Sequence, residues 1–324
     1  MCSDSQSGGL TPEHVGPNGK ETGLSFAGQD LVACELGATL RSYRWVSTEV
    51  LDGFSSDQVC HDARGQTLIP WPNRIFGGRY FWNSKKYQLD ISEPLKGNAI
   101  HGLTRWQPWR LASHKEDSLV YSLVLNPCAG WPFTLDASIE YSLSKTGLSV
   151  ITRVKNIGSD PVPFGTGAHP YFKLGNHRID SLLLKIPAST YYPVQEGGIP
   201  GPGKACTGSK WDFSSPSPIG SLEFDIAMSG LKRDKGGIAY VSLIDPKGDS
   251  ITLWMDKKYD FIQIYSADRV LDPNRRRMSI ALEPMTCAPD AFNSGIGLIT
   301  LNPKEEFIGR WGISPHLADE SVLR

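Results

Sequence analysis

Apolar and polar residues alternate along much of the chain with the period of two that an extended strand produces. In residues 135–143 every second side chain is apolar or aromatic, and the intervening ones are polar or charged. A glycine-containing turn signal at residues 145–147 is followed by a β-branched run over residues 148–154. This combination predicts a β-hairpin.

The same pattern recurs further along the chain. Residues 239–244 and 251–255 predict a second hairpin around the Asp-Pro-Lys-Gly-Asp turn at residues 245–249. Further strands are predicted at residues 119–125, 181–186, 261–265 and 297–301. No segment shows sustained helical spacing. Many short strands without amphipathic helices predict an all-β fold, a large antiparallel β-sandwich or barrel.

We expect a single domain over residues 23–324, preceded by a flexible N-terminal tail at residues 1–22. Residues 195–220 are dense in glycine, proline and serine, but strand signals resume after them, which favours a long surface loop over a linker. Residues 1–20 carry no apolar run that could serve as a signal peptide, and no stretch approaches the roughly 18 apolar residues of a membrane span. We therefore expect a cytoplasmic protein with no membrane partner.

Composition and charge exclude several classes of function. The chain has 324 residues, of which 40 % are hydrophobic and 21 % charged, and its formal net charge is −1. Without a basic excess there is no field to hold a phosphate backbone, so we expect no nucleic-acid partner. The 6 cysteines form no Cys-x-x-Cys pair and are interpreted as free thiols. Neither a nucleotide-binding glycine motif nor a metal-ligand spacing of histidines is present, so we expect no cofactor and no metal.

Polar residues that could carry chemistry cluster among turn-forming residues, where a rigid scaffold presents side chains to a ligand. Asn73 and Arg74 follow Pro-Trp-Pro, whose stiff backbone would hold them at low entropic cost, as a polyhydroxylated ligand requires. His101 and His169 both lie beside glycine or proline and could exchange a proton near neutral pH. Glu283 follows an apolar run and precedes a proline, so it should lie where a strand ends, partly desolvated and able to act as a base.

Each of these residues also has a structural interpretation that the pattern leaves open. Arg74 could cover the rim of the sandwich, and either histidine could be a structural hydrogen bonder. Glu283 could be a surface acid paired with one of the arginines at residues 275–277, which are most simply a solvated loop. Taken one at a time, the clusters do not decide between these roles.

In their order along the chain, the clusters resemble the aldose 1-epimerase (galactose mutarotase) family over residues 37–312. The matching segments are Asn73-Arg74-Ile75, His101-Gly102, Gly130-Trp131-Pro132-Phe133, His169-Pro170-Tyr171-Phe172 and the Leu-Glu-Pro to Pro-Asp-Ala-x-Asn pattern of residues 282–293. The resemblance implies the galactose mutarotase-like supersandwich, a large antiparallel β-sandwich. It also implies an isomerase that acts on a hexose without a cofactor, and we expect a monomer or homodimer.

The resemblance further implies roles for individual residues. Glu283 matches the family's general base and His169 its general acid. The base removes the C1 hydroxyl proton while the acid protonates the ring oxygen, and after rotation about C1–C2 the same groups act in reverse. The substrate-binding residues that the resemblance implies are Arg74, His101, Asp225, Asn73 and Tyr171.

Two departures from the family pattern, Pro-Trp-Pro at residues 70–72 and Asn-Ala-Ile at residues 98–100, lie where hydroxyl selectivity is set, so the preferred sugar is not indicated. Two other functions stay open. A non-catalytic carbohydrate-binding or sugar-sensing module could share the scaffold, although it would need neither acid nor base. An epimerase of a phosphorylated or sulfonated hexose would need a cationic cluster, for which Arg74, Arg105 and Arg269 are candidates.

Overall fold

The computed structural model describes residues 15–317, and nearly all of its regular structure is β-strand. The strands are, in chain order, β1 (Glu21–Phe26), β2 (Gln29–Cys34), β3 (Thr39–Trp45), β4 (Thr48–Glu49), β5 (Thr67–Leu68), β6 (Arg74–Ile75), β7 (Arg79–Trp82), β8 (Lys85–Gln88), β9 (Ala99–Ile100), β10 (Arg110–His114), β11 (Ser118–Leu125), β12 (Leu135–Ser144), β13 (Gly147–Asn156), β14 (Val162–Phe164), β15 (Gly167–Ala168), β16 (Tyr171–Phe172), β17 (Leu183–Lys185), β18 (Thr190–Tyr192), β19 (Lys204–Ala205), β20 (Ser217–Pro218), β21 (Asp225–Ser229), β22 (Ala239–Ile244), β23 (Ser250–Met255), β24 (Phe261–Tyr265), β25 (Ile280–Met285), β26 (Ile299–Leu301) and β27 (Glu306–His316). The helical elements of the same range are the short α-helix α1 (Ala291–Ser294) and 3-10 turns at Phe76–Gly78, Ile179–Ser181, Glu196–Gly198 and Pro273–Arg275.

Two large antiparallel sheets form the body of the molecule. The nine-stranded sheet has the order β10-β11-β12-β13-β27-β23-β22-β17-β20, and the eight-stranded sheet has the order β19-β18-β21-β24-β25-β15-β5, with β16 also paired to β25. Strands β1 to β4 form a four-stranded sheet, and β6-β9, β7-β8 and β14-β26 are two-stranded pairs. Side chains of both large sheets share one buried core, which includes Ile139 and Leu253 from the first and Ile262 and Ile264 from the second. The predicted all-β antiparallel fold is confirmed.

The predicted hairpins are confirmed as well. Strands β12 and β13 pair along their full length in a register that joins Ser144 to Gly147, so the turn falls at residues 145–146. Buried positions of β12 alternate with more exposed ones, as the period of two requires. Strands β22 and β23 form the second hairpin. The further predicted strands at residues 119–125, 181–186, 261–265 and 297–301 correspond to β11, β17, β24 and β26.

Two segments that were predicted to be irregular carry some structure. Residues 195–220 include the short strands β19 and β20, which add to the outer edges of the eight-stranded and nine-stranded sheets. The predicted tail, residues 1–22, lies partly outside the described residues. Within the described part of it, Asn18 is buried and donates to the Gln58 carbonyl over 2.7 Å, and β1 begins at Glu21.

In residues 15–317 no helix has the length and apolar character that crossing a bilayer would need.

Strand β25 carries the candidate base and is buried along its whole length. The sequence predicted that this strand ends at Glu283, before Pro284, and that boundary is wrong because the strand continues to Met285. On one side β25 pairs with β24, but on the other it pairs with β16 only at Ile280 and Ala281 and with β15 only at Met285. Pro284 lies between those two pairings, where the ladder requires no N–H donor.

Candidate active site

The candidate site is built on the eight-stranded sheet around Glu283. In the β24–β25 register Glu283 lies opposite Gln263, so both side chains are on one face of the sheet. Gln263 Nε2 donates to Oδ1 of Asp225, at the start of β21, over 2.8 Å. Glu283 and Gln263 are buried, whereas Asp225 is exposed. Gln263 was not predicted, although a polar residue within the apolar run at residues 261–265 is a signal that could have identified it.

His169 reaches Glu283 because its chain segment borders β25 twice. Strand β15 ends at Ala168 and β16 begins at Tyr171, and both pair with β25, so His169 lies beside the middle of that strand. Its Nε2 is 3.3 Å from Oε1 of Glu283. Only 6 % of His169 and 2 % of Glu283 are exposed. The structure therefore places the two residues predicted to transfer protons in direct contact inside the protein.

Asn73 and His101 hold each other in left-handed backbone conformations, with φ angles of 54° and 63°. The His101 N–H donates to the Asn73 carbonyl over 2.8 Å, and the Asn73 N–H donates to His101 Nδ1 over 3.2 Å. Burial lowers the pKa of His101 well below its ordinary value, and the neighbouring His169 acts in the same direction. Because Nδ1 accepts a bond, the neutral ring carries its proton on Nε2 and has a donor left for a ligand. The His101 and His169 rings meet edge to face, with 5.2 Å between centroids.

Arg74 follows Asn73 in β6, and Glu93 binds one edge of its guanidinium. Nε donates to Glu93 Oε2 over 2.8 Å, and Nη2 donates to Oε1 over 2.9 Å. Nη1 donates to the Gly198 carbonyl over 3.4 Å. This bidentate pairing fixes the plane of the guanidinium and offsets its charge. Glu93 was not predicted, and as an isolated acid outside the motifs it gives no signal in the sequence.

The Pro-Asp-Ala-x-Asn part of the late motif supports the strand that carries Arg74. The Asp290 N–H donates to the Arg74 carbonyl over 2.8 Å. Oδ1 of Asp290 accepts from the Phe76 N–H over 2.9 Å and from Asn293 Nδ2 over 2.7 Å. The motif thus fixes β6 from both ends, although none of these side chains touches Glu283 or His169 through a hydrogen bond in the described part of the chain.

Burial opposes charge on both proton-transfer groups. Desolvation raises the pKa of Glu283 well above its ordinary value, and the negative charge of Asp225 adds to this effect. Desolvation lowers the pKa of His169 to about 3, and the positive charges of Arg105 and Arg64 act in the same direction. The two groups therefore hold one proton between them over a wide pH range and titrate as a pair.

Several buried polar atoms of the site have no hydrogen-bond partner within residues 15–317. They are Oε2 of Glu283, Nδ1 of His169 and Oε1 of Gln263. Buried polar atoms are almost always paired in folded proteins, so unpaired ones that lie together indicate a polar ligand. In the same range, no group of three or more His, Cys, Asp or Glu side chains could hold a metal.

Two residues that were expected to contact substrate also hold neighbouring residues of the site. Tyr171 is 2 % exposed, its ring stacks on His169 with 5.1 Å between centroids, and its hydroxyl donates to the Asp62 carbonyl over 3.1 Å. Asn73 uses Oδ1 to accept from the Arg74 N–H over 2.9 Å. The other predicted site residues are Arg74, His101, His169, Asp225 and Glu283.

Two of the three arginines at residues 275–277 are not solvated as the sequence suggested, whereas Arg276 is exposed. Arg275 binds Asp52 through Nη2, and Arg277, 8 % exposed, donates from Nη1 to Asp268 Oδ1 over 2.6 Å. The interpretation was wrong because partly buried carboxylates, which the local pattern cannot locate, pair with these side chains. None of these arginines pairs with Glu283 among the ion pairs of the described residues.

Comparison with known proteins identifies the family of the chain. A family model described as aldose 1-epimerase matches residues 27–313. The chain belongs to the aldose 1-epimerase family. The resemblance carried by the motifs is thereby confirmed.

The relatives of this aldose 1-epimerase family member include proteins of known and of uncharacterized role. The uncharacterized protein YihR of Escherichia coli (strain K12) is 34 % identical over 239 residues, which make up 73 % of this chain and 74 % of YihR. The aldose 1-epimerase of the same strain is 28 % identical over 238 residues, 69 % of this chain and 67 % of that protein. The crystal structure of the GalM/aldose epimerase homologue from C. elegans matches with a TM-score of 0.80 at 15 % identity, covering 92 % of this chain and 98 % of that one. The galactose mutarotase-like fold that the resemblance implied is confirmed.

Proposed function

We propose that the protein is an aldose 1-epimerase, a mutarotase that interconverts the α and β anomers of a hexose by general acid–base catalysis. The observation that carries the proposal is the buried contact between Glu283 Oε1 and His169 Nε2, at 3.3 Å. A module that only binds sugar gains nothing from burying a carboxylate against an imidazole, whereas ring opening needs a base and an acid together. Membership of the aldose 1-epimerase family supports the same conclusion.

Ring opening requires proton transfer at two oxygens that are bonded to the same carbon, C1. In the form of the pair that carries its shared proton on His169, Glu283 removes the proton of the C1 hydroxyl, the bond between C1 and the ring oxygen breaks, and His169 gives its proton to the ring oxygen. Because the two oxygens share one carbon, acid and base groups that lie side by side can reach both. Rotation about C1–C2 turns the other carbonyl face to the pair, and the transfers run in reverse. The pair ends with the single proton it began with, so no cofactor is consumed.

The remaining polar groups of the site bind the sugar hydroxyls. His101 offers Nε2–H as a donor, since its Nδ1 is occupied by the Asn73 N–H. Gln263 Oε1 and Asp225 offer acceptors on the sheet face beside Glu283. Arg74 supplies the Nη2 N–H that Glu93, Gly198 and Asn73 leave free. This mixture of donors and acceptors suits a polyhydroxylated, uncharged ligand.

Charges around the site favour a neutral hexose over a phosphorylated or sulfonated one. The guanidinium of Arg74 is already bound by the carboxylate of Glu93. Arg105 donates from Nη1 to Gln66 Oε1 over 3.3 Å, and Arg269 is exposed. Of the three arginines considered for an anionic substituent, Arg74 alone is bound by a carboxylate, whereas Arg105 keeps its charge near His169 and Arg269 is exposed, so the described residues show no cluster of three free cations.

Polarimetry of freshly dissolved α-glucose and α-galactose tests the proposal. The wild-type protein should speed the approach to anomeric equilibrium for at least one of the two sugars. Glu283→Gln and His169→Asn should each lower kcat/KM by about 10²- to 10⁴-fold, because each removes one proton-transfer group. Glu306→Gln and His114→Asn change exposed residues of the same types and should leave the rate unchanged.

Two results would contradict the proposal. The first is a wild-type protein that accelerates mutarotation of no hexose, which would favour the sugar-binding module if calorimetry still detects binding. The second is a Glu283→Gln variant that retains the wild-type rate, since the proposed base would then be dispensable.

A further inference from the structure

Three side chains, Asp52, Arg64 and Tyr171, form a column that meets His169 inside the protein; we call it the positioning column. The Tyr171 ring lies against the His169 imidazole, with 5.1 Å between centroids and 15° between planes. The Arg64 guanidinium lies over the same Tyr171 ring, with Cζ 4.1 Å from the ring centroid. Arg64 is 1 % exposed and Tyr171 2 %, so the column belongs to the interior.

Asp52 ties this column to the strand that carries the proposed base. Its Oδ2 accepts from Arg64 Nη1 over 2.7 Å and from Ser279 Oγ over 2.6 Å. Ser279 directly precedes β25, the strand of Glu283. Burial alone would raise the pKa of Asp52, but Arg64, the Ser279 hydroxyl and Arg275 together lower it, so the anchor is ionised. One carboxylate is therefore linked to both members of the proposed acid–base pair.

The backbone next to Arg64 is also bound to His169. The Gly65 N–H donates to the His169 carbonyl over 2.9 Å, and the His169 N–H donates to the Gln66 carbonyl over 3.1 Å. Any displacement of the segment that carries Arg64 would therefore move the imidazole relative to Glu283.

Packing alone does not explain why a charged side chain, that of Arg64, is buried at this position. Its Nη1 is bound by Asp52, but Nε and Nη2 are buried without a hydrogen-bond partner in the described part of the chain. A buried guanidinium with unpaired N–H groups costs free energy that an apolar side chain of similar volume would not. The attraction between the cation and the Tyr171 ring offsets part of that cost and holds the ring in place.

We propose that Asp52 and Arg64 are positioning residues, which act through Tyr171 to keep the His169 imidazole aligned with Glu283 and to place a positive charge beside it. The inference rests on the proposed function for its catalytic consequence. Its physical content, the control of His169, does not depend on which reaction the protein catalyses.

The groups that face His169 determine how its titration should respond. They are Glu283 at 3.3 Å, the His101 ring at 5.2 Å, the Tyr171 ring at 5.1 Å, and the positive charges of Arg105 and Arg64. A positive charge disfavours the imidazolium form. Loss of the Arg64 charge should therefore raise the pKa of His169 from about 3 towards its ordinary value.

The test compares Arg64→Met, Arg64→Lys and the exposed control Arg44→Met in the full chain. Nitrogen-15 NMR titration of the His169 imidazole and the pH dependence of kcat and KM are the readouts. Arg64→Met should move the His169 titration to higher pH and lower kcat about 10- to 100-fold, with KM changed much less, because a small misplacement of a reacting group costs up to about 10²-fold in rate. Arg64→Lys keeps the charge but not the planar contact, so it should leave the titration near that of the wild type and still lower kcat.

Each outcome decides the inference. An unchanged His169 titration in Arg64→Met, with only a lower melting temperature, would make the column purely structural and overturn the proposal. Should Arg64→Met not fold, a wild-type kcat in Arg64→Lys would overturn it as well. If the wild type catalyses no mutarotation, the proposed function fails, yet the NMR titration still shows whether Arg64 controls His169.

Discussion

Replacing Glu283 by Gln should stabilise the protein while it removes activity, and the gain should grow with pH. The Glu283 side chain is almost wholly buried, and its Oε2 has no partner within residues 15–317. Burial raises its pKa well above the ordinary value, so the folded protein retains a proton that the unfolded chain, with a Glu pKa of about 4.3, releases. Gln has nearly the same shape and does not titrate, so the variant escapes this cost.

The size of the effect follows from the linkage between protonation and folding. Below the pKa that Glu283 has in the unfolded chain, its carboxyl is protonated in both the folded and the unfolded wild type. Its titration then does not change the free energy of unfolding. Between the unfolded and the folded pKa, the wild-type free energy of unfolding falls relative to the variant by up to about 1.4 kcal/mol per pH unit. The fall ends once the pH passes the folded pKa. At about 2 °C per kcal/mol for a chain of this size, the difference in melting temperature should reach several degrees.

Thermal unfolding of wild type and Glu283→Gln, followed by calorimetry from about pH 5 to about pH 8, measures this difference directly. Glu306→Gln, at an exposed carboxylate, is the matched control. A Glu283→Gln advantage that stays constant with pH, or a variant that is less stable than the wild type near pH 8, would refute the reasoning.

Three further predictions concern pH, charge and backbone. The pH profile of kcat/KM for mutarotation should be bell-shaped, because acid adds a second proton to the pair and base removes the only one. Since the pKa of His169 is about 3, the acid limb should lie at lower pH than it would for a free imidazole. A flat profile would contradict the pairing. Glu93→Gln should free the charge of Arg74 and so favour a phosphorylated sugar. Exchange NMR should show that kcat/KM for glucose 6-phosphate, divided by kcat/KM for glucose, rises roughly tenfold. An unchanged ratio would exclude Glu93 from charge selectivity. Gly102→Ala should lower the free energy of unfolding, measured in urea, by about 2–4 kcal/mol. The Cβ of the alanine would lie 2.0 Å from the Ile69 carbonyl oxygen, and the backbone φ at this position is +71°. A loss under about 1 kcal/mol would contradict that clash.

The long strands could be predicted from the sequence because their burial pattern is local. Strands β12 and β13 each span 10 residues and keep one face buried, so alternation is visible without knowing the partner. Strands β5, β15 and β16 have only 2 residues each and show no period at all. Yet β15 and β16 are the elements that hold His169 against β25. The part of the fold that shapes the site is thus the part that periodicity cannot detect.

The candidate site likewise has one part that the sequence could predict and another part that it could not. Glu283, His169 and Arg74 lie in motifs with proline or glycine neighbours, so family resemblance could single them out. Asp52 and Arg64 of the positioning column depend on contacts between distant segments, such as the bond from Ser279 to Asp52 across 227 positions. No short pattern encodes a contact of that separation, and the arginines at residues 275–277 were misinterpreted for this reason.

The distribution of the unpaired side-chain oxygens, unlike that of the unpaired Arg and Trp nitrogens, gives an argument for a ligand that is independent of family membership. In residues 15–317 the buried side-chain oxygens without a hydrogen-bond partner are Glu283 Oε2, Gln263 Oε1 and Thr166 Oγ1. The first two lie opposite each other on β25 and β24, and Thr166 directly precedes β15, which pairs with β25. Unpaired acceptors that arose from imperfect packing would be scattered, because every such atom costs about 1–3 kcal/mol wherever it is buried. Their confinement to the strands around one carboxylate is what a pocket that takes up sugar hydroxyls requires, and the cost is recovered only when such a ligand binds.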